Sequence, residues 1–187
     1  MNLLDPPSVE KIARHFRRAL LDCARAEIPY RHWKLVDVLP EDLCVQIIGL
    51  PIAPLVIDDC KGVRDVDNSL RTFLTPALRA RHEALDRFAE AMQRPEVAAL
   101  CAKTCGFEAE GSYLRMEYIQ DVDGAWLEPH HDVPQKLMSM VIYLTTGPDA
   151  AEWGTDIYDA ERKWWGRSSS AFNSAAIFIP GANTWHG

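Results

Sequence analysis

The hydrophobic period changes once along this chain, at Gly106, and that change limits the folds open to it. Before Gly106 the apolar residues recur at helical spacing. After it they alternate. A helical pattern cannot settle as a strand, so the first half is predicted helical and the second half sheet. Val9, Ile12, Ala13, Phe16, Leu20 and Cys23 form one stripe in Ser8–Glu27, with Ser8 as N-cap and Pro29 as the stop. A short strand is expected near His32–Val38. "PEDLCVQIIG" reads as a helix, with Pro40 at its start, acids in its first turn and Gly49 at its end. Residues 51–70, rich in Pro, Asp and Gly, read as loop. "TPALRARHEALDRFAEAM" reads as one helix capped by Thr75, with Leu78, Leu85, Phe88 and Met92 on one face. "PEVAALCAKTCG" is a last helix, closed by Gly106.

Beyond Gly106, "SYLRMEYI" places Leu114, Met116 and Tyr118 on one side and Arg115 and Glu117 on the other. "KLMSMVIYLTT" places Met138, Met140, Ile142 and Leu144 on one face, and Ser139, Val141, Tyr143 and Thr145 on the other. "GTDIYD" and "SAAIFIP" add two strands. One apolar face and one mixed face suit a sheet backed by helices, its second face lining a cavity. Helices followed by strands indicate α+β, with a jelly roll a candidate for the strand-rich half. At 187 residues the chain reads as a single domain, 1–187, with 1–106 as mainly helical support and 107–187 as the jelly-roll core.

The formal charge of −7 argues against phosphate-backbone binding, and so against a nucleic-acid partner. Arg14, Arg17 and Arg18 on one helix face leave room for a small-anion pocket. "MNLLDPPSVE" has no signal-peptide character, and no apolar run is long enough to span a bilayer, so no membrane partner is expected. The cysteines, at 23, 44, 60, 101 and 105, are odd in number and irregularly spaced. They read as reduced thiols of a cytoplasmic protein.

The chemistry concentrates in "EPHHDVP", residues 128–134. On a strand, i and i+2 point the same way and i+1 points opposite. His130 and Asp132 therefore share a face, with Cβ atoms roughly 6.5–7 Å apart, and His131 turns away. A metal held by both needs a third ligand from another strand. His186, in "NTWHG", is the sole downstream histidine. Two histidines and one carboxylate leave open positions on an octahedral ion, the ligand set of non-haem Fe(II) oxygenases.

This pattern resembles the Fe(II)/2-oxoglutarate-dependent oxygenases. "YIQDVDGAWLEPHHD", "VIYLTT", "EWGTDIY" and "IFIPGANTWHG" are similar to segments of the prolyl-hydroxylase-like branch. The resemblance covers roughly 112–187, with "PEDLC" a weaker echo upstream. It implies a double-stranded β-helix of the cupin type, with Fe(II) on His130, Asp132 and His186. It also implies 2-oxoglutarate as cosubstrate, O2 as co-reactant, and succinate and CO2 as co-products of C–H hydroxylation. The substrate would be a small molecule or a prolyl or amino-acid residue. Family halogenases replace the carboxylate with a small residue, so Asp132 points to hydroxylation. Tyr118 and Tyr143 match the family's 2-oxoglutarate tyrosines; as core residues they would simply have satisfied hydroxyls.

The family's basic residue for the distal carboxylate of 2-oxoglutarate normally follows the last histidine, and here Gly187 does. The expectation is a fragment lacking its last strand, or a cation from elsewhere, such as Arg115 or Lys136. Alternation turns Arg115 away from Tyr118. The competing reading is a metal-binding, cupin-like module without oxygenase activity. Trp126, Trp153, Trp164, Trp165 and Trp185 are expected to pack in the core or floor a substrate pocket. Residues 61–74 suit a lid, with Arg64 and Arg71 as contacts for an acidic substrate group. His131 is expected at the surface or as a donor behind the ligands. His15, His32 and His82 show no ligand spacing.

Overall fold

The computed structural model describes residues 5–54, 62, 72–121 and 126–187. Helix α1, Val9–Leu21, starts where the Ser8 hydroxyl accepts from the Lys11 amide at 3.2 Å. It buries Ile12, Ala13, Phe16, Ala19 and Leu20. The apolar stripe continues past Leu21, but the helix does not. Residues Ala24–Ala26 form strand β1, which pairs with β2, His32–Val36. Pairing across the Pro29 turn thus takes over from helix propensity. Helix α2, Glu41–Ile48, runs between Pro40 and Gly49 as its sequence signals require.

The segment read as one helix from Thr75 divides into α3, Pro76–Arg79, and α4, Glu83–Met92. The break falls at His82, whose backbone is extended. The Arg79 guanidinium spans the corner to Asp86, with Nε 2.9 Å from Oδ1. Helix α5, Pro95–Cys105, ends at Gly106, where φ of 79° satisfies a left-handed cap.

The second half supplies β3, Ser139–Tyr143; β4, Asp156–Tyr158; β5, Trp164–Arg167; and β6, Ser174–Phe178, with a short 3-10 turn at Ala150–Glu152. Strands β1-β2-β6-β3 form an antiparallel sheet in that order, and β4-β5 form an antiparallel pair. Residues 112–119 do not form a named strand. They meet residues 72–74 at a single bridge, Phe73 to Glu117. Strands β1 and β5 have no alternating apolar face in sequence, so only their pairing defines them. The chain is therefore a mixed α+β protein with two antiparallel sheets among its described residues.

Trp33, Leu35, Ala175 and Ile177 turn one face of the large sheet onto the helices, in a core shared with Ile12, Phe16, Leu43 and Leu85. Met138, Met140, Ile142 and Leu144 pack against it, on the face their alternation assigned. Burial of each large apolar side chain stabilises by about 1.5–3 kcal/mol. The opposite face carries His32, Phe178 and Ser139 in one row across β2, β6 and β3. The β4-β5 pair approaches this face through Ile157, which is buried with Tyr30 and Phe178. No helix among the described residues is long and apolar enough to cross a membrane.

Candidate metal centre

His130 and His186 meet as an antiparallel bridge. Each amide donates to the other's carbonyl, at 2.9 and 3.2 Å. The 185–187 segment also pairs with β4: the Asp156 amide donates to the Gly187 carbonyl and the Tyr158 amide to that of Trp185. His186 thus lies between the 130 segment and β4. A Cβ on Gly187 would stand 2.5 Å from the Leu127 carbonyl oxygen, so the close approach requires glycine.

This register explains the division between the two adjacent histidines. The His130 and His186 rings lie 4.4 Å apart on one face. On the other face His131 stacks on Trp185 at 3.6 Å, and the Arg162 guanidinium caps Trp185 at 3.9 Å. His131 is half-buried there, with its Nε2 unpartnered among the described residues.

Both site-facing histidines are oriented alike. Nδ1 of His130 donates to the Glu128 carbonyl at 2.9 Å, and Nδ1 of His186 to the Thr184 carbonyl at 3.0 Å. A carbonyl only accepts, so Nδ1 carries a proton in both rings, and the neutral form of either ring presents its Nε2 lone pair to a ligand. Burial holds the His186 imidazole below its usual range, and the charges of His130 and Lys136 act the same way against the opposing pull of Thr184 and Asp132. His186 is therefore neutral near pH 7, as metal ligation needs. The Phe178 ring packs 4.4 Å from it.

Asp132 Oδ2 lies 3.9 Å from the Nε2 of His186, the imidazole whose ring centre is 4.4 Å from that of His130. Burial alone would raise the Asp132 carboxyl; hydrogen bonds from Lys136 and Ser139, with the charges of Lys136 and His186, bring it below the usual carboxylate range. Lys136 occupies one oxygen and Ser139 the other. Among the described residues no three His, Cys, Asp or Glu side chains form a metal-ready group. Two imidazole nitrogens and an ionised carboxylate still suit a divalent first-row cation chemically. With Asp132 paired on both oxygens, such an ion would have to displace part of that pairing.

Tyr143 stands on the site-facing side of β3 with Ser139, about 13 Å further along the strand. Its hydroxyl lies 2.7 Å from both Thr155 Oγ1 and Ser168 Oγ. Gly154 permits this cluster, since a Cβ there would fall 1.8 Å from the Ser168 carbonyl oxygen. Tyr118 points elsewhere: its hydroxyl donates to the Ile47 carbonyl of α2 at 3.4 Å, and no contact joins it to the triad among the described residues. Arg115 lies over the Phe73 ring at 5.8 Å.

Two more aromatic residues, Tyr30 and His32, lie beside the site; His32 has no ligand spacing in the sequence, and nothing local marks Tyr30. Tyr30 is buried, its ring edge on Phe178 and its hydroxyl donating to the Trp185 carbonyl at 3.2 Å. Burial, then the neighbouring Tyr143, pushes this phenol well above its usual range, so it remains a neutral donor. His32 is also buried, with Nδ1 donating to the Tyr30 carbonyl at 2.9 Å. Strand parity joins Tyr30 to His32, but only the long-range pairing with Phe178 brings them to the site.

The remaining expectations divide. Trp126, Trp153, Trp164 and Trp165 are each more than half exposed, so they do not form a packed core. Trp164 and Arg167 instead donate to the Asp156 carboxylate. Cys23, Cys44, Cys101 and Cys105 are free thiols; Cys60 lies outside the described residues. Arg64, Arg71 and most of the lid segment lie outside them as well. Gly62 is described, and its carbonyl accepts from the Glu128 amide at 2.6 Å. Arg14, Arg17 and Arg18 line a hollow on α1 of about 270 Å³, remote in sequence from the triad. Comparison with protein-family models and with curated proteins finds no match.

Proposed function

We propose that this chain is an Fe(II)/2-oxoglutarate-dependent dioxygenase, hydroxylating a C–H bond of a small molecule or of a prolyl or amino-acid residue. The observation carrying this reading is the bridged pair His130 and His186, both with Nε2 free, beside the ionised Asp132. A double-stranded β-helix is the fold we propose for the strand-rich half. The ladder order, from the 130 segment through 185–187 to β4 and β5, facing β2-β6-β3, supports it.

His130, Asp132 and His186 would hold the iron, and 2-oxoglutarate would chelate it. Bound together they supply oxidative decarboxylation to succinate and CO2, coupled to C–H hydroxylation by O2. The protein's own contribution is positioning. The carbonyls of Glu128 and Thr184 fix both imidazole tautomers, and Tyr30 steadies the Trp185 carbonyl next to His186. Phe178 shields one side of His186, while Trp185 and His131 cover the reverse face of the bridge. Tyr143 offers a buried hydroxyl to the 2-oxoglutarate carboxylate if Thr155 or Ser168 yields it.

The test is succinate formation dependent on added Fe(II) and 2-oxoglutarate, with a panel of amino acids and prolyl peptides as stimulants. Loss of turnover in Asp132→Ala is expected, and full turnover there would refute the assignment. A second reading, a metal-binding module without turnover, draws on the engagement of both Asp132 oxygens by Lys136 and Ser139. It predicts metal binding with no succinate.

A further inference from the structure

His186 stands in a row of residues that crosses four segments. The bridges from His130 to His186 and from His186 to Ile157 continue through the β4-β5 pairing to Gly166. His130 takes both peptide groups of His186. Toward β4 the bonds are made by its neighbours. Asp156 and Gly187 exchange both amide bonds, at 2.8 and 3.1 Å, and the Tyr158 amide donates to the Trp185 carbonyl at 3.1 Å. On this side the position of His186 depends on how firmly Asp156 is held.

The Asp156 side chain is held by three groups of bonds. Arg167 lies directly opposite on β5, and its guanidinium grips both carboxylate oxygens, Nε to Oδ1 at 2.7 Å and Nη2 to Oδ2 at 2.9 Å. Nη1 of the same guanidinium donates to the Glu152 carbonyl at 2.8 Å, and the Trp164 indole donates to Asp156 Oδ1 at 2.8 Å. A bulge makes this possible. Regular alternation would turn Trp164 and Arg167 to opposite faces. The register shift at Ile157 and Tyr158 leaves Trp165 unpaired and brings both donors to one carboxylate. Burial raises the Asp156 carboxyl, but these bonds and the Arg167 charge bring it below the usual carboxylate range. Ile157 is buried against Tyr30 and Phe178, so alternation turns Asp156 and its partner Arg167 to the outer face. The clamp reaches His186 through the backbone.

We infer that Arg167, Asp156 and Trp164 form a positioning clamp that sets where His186 stands relative to His130 and Asp132. A bidentate guanidinium fixes direction as well as distance, which a lysine ammonium does not. The inference rests on the reading of His130, Asp132 and His186 as metal ligands.

The first test needs no metal. In the metal-free protein, amide hydrogen exchange followed by NMR should be at least tenfold faster at Tyr158 and His186 in Arg167→Gln, with the amides of α1 unchanged. Unchanged exchange at both overturns the clamp. In electron paramagnetic resonance titrations, Mn(II) should bind Arg167→Gln about tenfold more weakly than the wild type. The absorption bands of bound Co(II) separate positioning from mere destabilisation. A destabilised but correctly placed His186 gives the wild-type spectrum once the site is filled; a displaced one gives shifted bands at saturation. Shifted bands are expected in Arg167→Gln and, because the fork is lost, in Arg167→Lys. A wild-type spectrum in both overturns the clamp. Trp164→Phe removes a single donor, keeps the fork, and covers the case that Arg167→Gln fails to fold. It should weaken Mn(II) about threefold, and unchanged affinity there counts against the clamp. Asp132→Ala leaves the clamp intact and tests the premise. If it binds Mn(II) like the wild type, the metal centre itself is wrong. If it loses Mn(II) while Arg167→Gln matches the wild type, the centre stands and the clamp fails.

Discussion

The helical layer and the layer that carries the candidate metal centre are built on different principles. In the first, Ile12, Phe16, Trp33, Leu43 and Leu85 are at most 1% exposed, and apolar packing decides the geometry. In the second the strands are short, two of the links are isolated bridges, and the decisive contacts are polar. Four tryptophans there remain more than half exposed. The packed layer is over-determined by area burial. The site layer keeps its geometry through a few hydrogen bonds, among them those that Lys136 and Ser139 make to the two Asp132 oxygens. Metal binding would therefore add stability where packing contributes least.

Breaking each layer should separate them. Trp33→Ala opens a large cavity in the shared core and should cost about 3–5 kcal/mol in denaturant unfolding, seen equally by far-UV and tryptophan probes. His186→Ala should weaken Mn(II) binding by about 100-fold or more, near 3 kcal/mol. It should leave the far-UV signal of the helices intact. A loss of helix signal there would mean the two layers are not separable. Ser8→Ala removes the α1 cap and should cost about 1 kcal/mol without changing metal affinity, a check that helix stability and site chemistry are independent.

The smallest expected effect is one of pH. The folded His186 takes up its proton below the unfolded value near 6.5, so between those two values the unfolded chain binds more protons. Its contribution is complete above about pH 6.5 and is lost as pH falls through the folded pKa. Metal-free stability should therefore decrease on acidification below about 6.5. The slope should be shallower in His186→Gln, and an unchanged slope would assign it to another histidine.

The two layers also differed in legibility. Helix caps and stops at Ser8, Gly49, Thr75 and Gly106 are local chemistry, and they read correctly. The end of α1 did not, because β1 exists only through its pairing with β2. The extended corner at His82 has no local breaker to announce it. At the site, period-2 alternation separates His130 from His131 on sequence alone, and the ring contacts on opposite faces agree. The roles of Lys136 and Ser139 depend on a turn that returns the chain to Asp132. Those of Tyr30 and His32 depend on a register linking β2 to β6 across most of the chain. Alternation gives the face of a residue, not its neighbour on the next strand.

The central claim is that three side chains at the bridge bind Fe(II) and leave room for a chelating ligand. Its most direct test is an anaerobic Fe(II) titration of the wild type in the presence of 2-oxoglutarate, followed by visible absorption. The account predicts a weak charge-transfer band that saturates near one equivalent of Fe(II) and is absent in Asp132→Ala and His186→Ala. No band in the wild type, or the same band in both variants, would contradict it.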